Sequence, residues 1–175
     1  IQWAETWNML KDGRIINGAG LANYQNIIKP YHVEGFFYNK DNDSDFHRKT
    51  VFNEEYRRAR WQPLEIYLYP HNIFLNFWSE LGLAGMLLFI WIIIKFYILG
   101  FKILFKILKF KIKKSEIKFE KYLTLGVLGS ITTIIIHGLV DVPYFKNDLA
   151  VMFWIFIAML GVIDLSRKNV KVSKQ

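Results

Sequence analysis

Apolar residues are concentrated in three runs after residue 70 of this 175-residue chain. Leu81–Phe101 has 21 residues and one charge, Lys95, and Tyr122–Val140 has 19 residues without Asp, Glu, Lys or Arg. As helices these two runs would be about 31 and 28 Å long, and a bilayer core is about 30 Å thick. Leu149–Ile163 has 15 residues, so either its flanks Phe145 and Leu165 complete a third crossing or it is a tilted or partly buried helix. The pattern predicts an all-α integral membrane protein with three transmembrane helices, at about 74–101, 122–140 and 145–165.

The first 70 residues have a different pattern, in which short apolar stripes alternate with turns. Trp3, Trp7 and Leu10 are four and three residues apart, which places them on one face of a helix. Turn-forming residues at 12–13 and 17–20 then interrupt this helix. We therefore predict that residues 1–70 form a loop segment with short helices, followed by a membrane region at residues 71–165.

The distribution of charge predicts how the chain crosses the membrane. Lys and Arg exceed Asp and Glu by 23 to 15, yet residues 1–70 contain nine of each sign. The positive excess lies in residues 102–121 and 166–175, after the first and third apolar runs. Basic segments that flank membrane spans face the cytoplasm. We therefore expect a multi-pass protein of the cell membrane with a basic cytoplasmic loop at 102–121, a cytoplasmic tail at 166–175, and residues 1–70 outside.

The basic residues after the first run also indicate a partner. Lys102, Lys106, Lys109 and Lys113 recur at helical spacing beside apolar residues, as in an amphipathic helix at the headgroups of a membrane. Membrane lipids are the expected partner of this segment, and nucleic acid is not expected. The absence of cysteine excludes disulfides and thiolate metal sites. The chain begins without Met inside a helical pattern, which we interpret as the C-terminal part of a larger protein.

Candidate chemistry lies at the outer ends of the first two runs. His71 and Asn72 follow Pro70 at the start of the first helix, with Glu80 about 13 Å deeper along it. Histidine can act as a base near neutral pH, and a carboxylate near the membrane boundary needs a partner or a watery cavity. His137 and Asp141 are four residues apart on one helix face, either as a structural pair or as part of a site. The topology would bring both groups to the same side, together with Lys146.

Two further features of the outer segment have both a functional and a structural interpretation. Gly18 and Gly20 permit a close backbone approach to a ligand, although a plain loop explains them equally. Arg57, Arg58 and Arg60 could clamp a diphosphate, or they could form a solvated helix end paired with glutamates. No spacing of metal ligands is present, so neither a metal nor another cofactor is expected.

Three segments together resemble the C-terminal part of the O-antigen ligase and polymerase family of membrane glycosyltransferases. They are Trp3–Gln25 with its Gly-Ala-Gly-Leu-Ala-Asn-Tyr ending, Pro70-His71-Asn72 through Glu80-Leu81-Gly82-Leu83-Ala84-Gly85, and His137-Gly138-Leu139-Val140-Asp141-Val142-Pro143. The resemblance implies transfer of a glycan from undecaprenyl diphosphate to a glycan, lipid or protein hydroxyl at the outer membrane face. It implies inversion of the anomeric centre without a metal.

The resemblance also assigns expected roles to residues. His71 would be the catalytic base, with Glu80 as a second catalytic candidate. Outer-loop arginines would hold the diphosphate, and the remaining candidates would contact substrate. These expected substrate-binding residues are Arg14, Arg57, Arg58, Arg60, Asn72, Gly18, Gly20, His137, Asp141 and Lys146. The alternatives are a transporter or channel subunit, which would need charges along a path, and a membrane anchor with an outer binding loop.

Overall fold

The computed structural model describes residues 1–109, 114–141 and 147–172, and most of them are helical. Residues 1–72 precede the long helices, and we call them the outer segment after their predicted location. This segment contains four short α-helices, a 3-10 turn at Lys29–Tyr31 and a two-stranded antiparallel ribbon. In chain order its elements are α1 (Gln2–Lys11), α2 (Tyr24–Ile28), β1 (Gly35–Phe37), α3 (Phe46–Phe52), α4 (Glu54–Arg60) and β2 (Trp61–Pro63). The long helices follow as α5 (Ile73–Lys109), α6 (Lys114–His137) and α7 (Asn147–Val172).

Each long helix contains a stretch that is long and apolar enough to cross a membrane. Within the described residues these stretches are Ile73–Leu108, Phe119–His137 and Leu149–Arg167. The three helices pack against one another around a shared core, in which Phe89 stacks on Phe77 and lies 5.8 Å from Phe153 between ring centroids. The prediction of three apolar helices is confirmed, and the chain has the features of a membrane-embedded helical protein.

The helices extend into the block predicted as a basic loop at 102–121. Helix α5 continues to Lys109, and α6 begins at Lys114. The continuation of α5 follows from its apolar face, because Ile103 and Ile107 are buried in the helical core while Lys102 and Lys106 are more exposed. Residues 110–113, 142–146 and 173–175, and with them the start of the third predicted span, lie outside the described residues.

Helix α5 is broken near its N-terminal end. Gly82 has φ 73° and ψ −176°, a conformation that is almost restricted to glycine. The backbone groups released by the break are bonded by the segment at residues 15–22, which we call the glycine segment. Leu83 N donates to Ile16 O at 2.9 Å, and Ala19 N donates to Ser79 O at 2.6 Å. The glycine segment thus completes the hydrogen bonding that the helix itself gives up.

The outer segment has its own small core beside this break. Met9, Leu10, Ala19, Tyr24 and Ile28 form a buried cluster under α1 and α2. Burial raises the pKa of Tyr24 to about 12, and its hydroxyl lies 2.7 Å from Thr6 Oγ1. This core keeps α1 against the outer end of α5, which decides where the candidate site forms.

Helices α3 and α4, which we call the α3–α4 hairpin, are both hydrogen-bonded to one carboxylate in the preceding loop. Asp43 Oδ2 accepts hydrogen bonds from Lys49 Nζ at 2.7 Å and Tyr56 Oη at 2.9 Å, and Asp43 Oδ1 accepts one from Asp45 N at 2.9 Å. These bonds, that of Lys49 above all, lower the pKa of Asp43 from 3.8 to about 2. Folding of the hairpin is therefore linked to ionisation of this carboxyl group.

We expect acid to loosen the α3–α4 hairpin through Asp43. Because its pKa is lowered by folding, its stabilisation is fully present above pH 3.8 and is lost as the pH falls toward 2. Hydrogen exchange of hairpin amides, compared between wild type and Asp43→Asn at each pH, measures this effect. The variant should exchange faster at pH 6 and equally at pH 2, whereas Asp45→Asn should match wild type at both. An equal difference at both pH values would contradict the linkage.

Candidate functional site

The start of α5 contacts the turn that follows α6, which joins two of the motifs singled out in the sequence. Asn72 Oδ1 accepts hydrogen bonds from the backbone N–H groups of Phe74 and Leu75, so Asn72 caps the helix. Its Nδ2 donates to Leu139 O at 3.1 Å, 67 positions away. Ile73 N also donates to Gly138 O at 2.6 Å. Asn72 therefore has a positioning role in this structure, since its amide connects both motifs.

His71 and Asp141 are brought together by these contacts. His71 Nδ1 lies 3.5 Å from Asp141 Oδ1, and the side chains are 31% and 24% exposed. His71 has φ 47°, a left-handed conformation that is uncommon for residues with a Cβ. Trp3 Nε1 donates to His71 O at 3.3 Å and supports this turn from α1.

Aromatic rings surround the imidazole of His71. The ring of Tyr67 is perpendicular to it at a centroid distance of 5.1 Å, and that of Tyr69 lies at 4.9 Å. The rings limit the motion of the imidazole and leave part of it accessible to solvent. Trp3 also lines a cavity of about 350 Å³ together with Ile1, Gln2 and Leu64, so an open space adjoins the support of His71.

Asp141 also lies close to a second histidine. His137 Nε2 is 3.6 Å from Asp141 Oδ2, and the His137 side chain is 57% exposed. Helix α6 ends at His137, so Asp141 lies in the turn that follows rather than on the same helix face, and the two side chains still lie close together. One carboxylate therefore lies between two imidazoles, and the less exposed imidazole is that of His71.

The two ring nitrogens of His71 differ in their surroundings. A neutral imidazole has one N–H donor and one acceptor nitrogen, and a neighbouring carboxylate favours the proton on the nitrogen that faces it. Nδ1 of His71 faces Asp141, so Nε2 is the nitrogen that would accept a proton. An accessible imidazole in this tautomer can take a proton from a hydroxyl group, while the carboxylate stabilises the imidazolium that forms.

Glu80 lies in a different environment from His71. Its Oε2 accepts a hydrogen bond from Ala22 N in the glycine segment. The helix breaks two residues later, at Gly82. There the Glu80 carboxylate provides a hydrogen-bond acceptor for a backbone N–H group of the neighbouring loop. The catalytic role of Glu80 remains a prediction, and its described contact is structural.

The two glycines of the glycine segment differ in their surroundings. At Gly18, with φ 67°, an added Cβ would lie 2.5 Å from the carbonyl oxygens of both Trp78 and Ser79. At Gly20, with φ 91°, an added Cβ would meet nothing within 4 Å. Gly18 is therefore required for the approach of the loop to α5. Substrate binding by either glycine stays a prediction, with Gly20 the more open of the two.

The candidate arginines lie on the outer segment, away from the contacts that surround His71. The hydrogen bond from Tyr31 to Asp12 raises the pKa of the Tyr31 hydroxyl, and Arg14 lies close enough to oppose this rise. Arg58 pairs with Glu54 at 2.6 Å on the surface of α4, and Arg60 pairs with Asp41 and lies over the ring of Tyr56. Arg57 is on the last turn of the same helix. Diphosphate binding by these arginines stays a prediction.

Two of the remaining predictions concern charged groups. Lys146 lies outside the described residues. Within the ranges that the structure describes, no three His, Asp or Glu side chains are arranged to hold a metal ion.

The residues identified only by the structure are Trp3, Tyr67 and Tyr69, which contact His71. Their sequence signal was weak, because aromatic residues near a membrane boundary have many structural roles.

Comparison of the chain with protein-family models, curated proteins and solved structures found no match. A function is therefore inferred from the motifs of the chain and from the geometry around His71.

Proposed function

We propose that this chain is part of an O-antigen ligase-like glycosyltransferase that acts at the outer face of the cell membrane. It would transfer a glycan from undecaprenyl diphosphate to a hydroxyl group of a glycan, lipid or protein acceptor. The observation that supports this most is the contact between His71 and Asp141. Two motifs that resemble those of the family lie 70 positions apart, and their ionisable side chains come within 3.5 Å.

In the proposed reaction His71 is the general base. Nε2 of His71 accepts the proton of the acceptor hydroxyl while its oxygen attacks the anomeric carbon. The bond from that carbon to the diphosphate oxygen breaks from the opposite side, so the configuration inverts and undecaprenyl diphosphate leaves. Asp141 orients the imidazole through Nδ1 and stabilises its protonated form. A correctly placed base contributes about 10²- to 10⁴-fold to such a rate.

The leaving diphosphate needs positive charge as the glycosidic bond breaks. Arg57 is exposed on the last turn of α4 and would bind it, and Arg58 would do so in exchange for its surface pair with Glu54. Arg60 is less exposed and is paired with Asp41, so it suits a positioning role better. The exposed apolar surfaces of α5, α6 and α7 suit contact with a polyprenyl chain and with membrane lipids.

The proposed topology places residues 1–70 outside and the basic ends of the helices in the cytoplasm. At the latter end Arg167 pairs with Glu120 at 2.9 Å, and Lys106 lies 3.9 Å from Asp164. These pairs connect the three helices where the chain would leave the hydrocarbon core, and a charge at that depth is stabilised by a partner.

The full-length protein in membranes tests this function directly. Undecaprenyl-diphosphate glycans extracted from the source cells are supplied with the cell's own acceptor fraction, and released undecaprenyl diphosphate is measured by mass spectrometry. Release that requires the acceptor is the expected result. Absence of release in the presence of both fractions would contradict the proposal, and solute flux without lipid-linked glycan would favour the transporter alternative.

We expect Asp141→Asn to slow transfer by about tenfold or more, because the amide no longer stabilises imidazolium, while the base itself remains. Asp141→Glu should recover part of the rate, and Asp45→Asn beside the α3–α4 hairpin serves as the matched control. An Asp141→Asn variant with an unchanged rate would remove Asp141 from the mechanism.

A further inference from the structure

The two-stranded ribbon of the outer segment exposes several aromatic rings. Phe36, Phe37, Tyr38 and Trp61 are each between 37% and 54% exposed. The two hydrophobic clusters of the described residues contain none of these four side chains. Contiguous exposed aromatic groups mark interaction or ligand-binding sites, so the exposure of these rings indicates a binding surface.

The register of the ribbon places the rings on both of its faces. Phe37 is directly opposite Trp61, and their ring centroids are 5.0 Å apart. The Trp61 ring lies across Gly35, where an added Cβ would come within 2.5 Å of it. Phe36 is opposite Gln62 on the other face, and Tyr38 lies beside Phe36 at 6.4 Å. One face thus presents a Phe–Trp pair and the other presents two rings beside an amide.

The surroundings of the ribbon favour a sugar over a lipid surface. Residues 34–63 contain six acidic and six basic side chains, so the segment lacks the positive charge that draws proteins to anionic membranes. The rings are flanked by groups that hydrogen-bond to hydroxyls, such as Gln62 and the Arg60–Asp41 pair. A sugar ring has an apolar C–H face that stacks on an aromatic ring and hydroxyl groups around its edge that bind such side chains.

The ribbon is also continuous with the candidate site. Beyond its last ladder pair, Leu64 N donates to Glu34 O at 2.9 Å, which extends the pairing toward α1. Leu64 then lines the cavity that includes Trp3, and Trp3 donates to the backbone of His71. A chain of sugars that leaves the reaction centre would pass this cavity and reach the ribbon.

We infer that the aromatic ribbon, Phe36–Tyr38 with Trp61, binds the glycan chain during transfer by stacking sugar rings on its exposed side chains. This inference rests on the proposed glycosyltransferase function and adds to it the surface that holds the carbohydrate. Neighbouring sugars in the chain would contact different rings, so the ribbon would hold a long glycan better than a single sugar.

The test uses the full-length protein in phospholipid nanodiscs and one soluble probe. The probe is the glycan released by mild acid from the lipid-linked donor. Hydroxyl-radical labelling of Phe37 and Trp61 should fall when the donor glycan is added. Low labelling before any glycan is added would overturn the inference, because lipid or a second copy of the chain would then cover the rings.

Affinity measurements on ring variants give the second readout. Trp61→Leu should weaken binding of the donor glycan by about tenfold, whereas Trp61→Phe should retain most of it. This contrast separates stacking from ribbon stability, since leucine fills space without an aromatic face. Phe52→Ala is the matched control, because Phe52 is 84% exposed on α3 and lies off the ribbon. Equal losses for Phe52→Ala and Trp61→Leu, or no glycan binding by the wild type, would overturn the inference.

The two proposals fail in distinguishable ways. Glycan binding that depends on Trp61, without release of undecaprenyl diphosphate, would retain the binding surface and remove the transferase function. Release that depends on His71 and is unaffected by Trp61→Leu with a long donor would retain the function and overturn the role of the ribbon.

Discussion

Replacement of His71 by asparagine is expected to lower glycosyl transfer by about 10²- to 10⁴-fold, the contribution of a well-placed general base. Asparagine removes the basic nitrogen and suits the backbone better than alanine does. His71 has φ 47°, and asparagine adopts this left-handed conformation more readily than most residues. The hydrogen bond from Trp3 is received by the backbone oxygen of His71, so it is retained.

The measurement is release of undecaprenyl diphosphate by matched amounts of membrane-inserted protein. His47→Asn is the control, because His47 is an exposed histidine on α3 to which no role in the site is assigned. We expect the control to retain most of its activity, with the loss confined to His71→Asn. Equal activity of wild type and His71→Asn would show that another group accepts the proton, and Glu80 would then be tested.

Replacement of Gly82 by alanine is expected to destabilise the packing of the glycine segment on α5 by about 3 kcal/mol or more. The φ and ψ values of Gly82 are strongly unfavourable for any residue with a Cβ, and that Cβ would lie 2.3 Å from Ile16 O. The glycine segment would have to move away from α5. Its hydrogen bonds to Ser79 and Leu83 would then be lost together with the contact from Ala22 to Glu80.

Thermal unfolding in detergent measures this effect, with protease sensitivity of the glycine segment as a local readout. Gly126→Ala is a first control, because that glycine lies within α6 and an added Cβ would meet nothing within 4 Å. Gly13→Ala is a second control, since φ 74° imposes backbone strain there without a steric clash. The expected order of stability is Gly126→Ala, Gly13→Ala, then Gly82→Ala. A Gly82→Ala protein as stable as Gly126→Ala would contradict the role assigned to the break.

The positions of the long helices could be read from the sequence because each depends on a local property. A run such as Leu81–Phe101 is apolar over a bilayer-spanning length whatever surrounds it. The helix ends were less predictable, since α5 continues through Lys102 to Lys109 into the segment expected as an amphipathic helix of the basic loop. There Ile103 and Ile107 are buried in the core that the long helices share. The ribbon was also unforeseen, because strands of three residues have no reliable periodicity.

The candidate site shows the same division between local and long-range information. The sequence identified His71, Asn72, His137 and Asp141 as two separate groups at the outer ends of two helices. It also placed Glu80 on the same helix as His71, as though the two could act together. In the structure Glu80 bonds to Ala22, while His71 lies near Asp141. Helical spacing cannot predict these two contacts. Gly82 interrupts the helix, and the glycine segment, which is distant in sequence, bonds to the backbone groups at the break.

The sequence by itself determined the helical class, the three apolar helices and the residues with suitable chemistry, since hydropathy, charge and helical spacing act over a few neighbouring positions. Only the tertiary structure decided which of those residues meet. Asn72 contacts Leu139, and the glycine segment docks on α5, so both contacts join positions far apart in the chain. The left-handed turn at His71 lies directly beside the first of them. Such contacts form where packing offsets the cost of an unusual backbone conformation, and that balance depends on the whole fold.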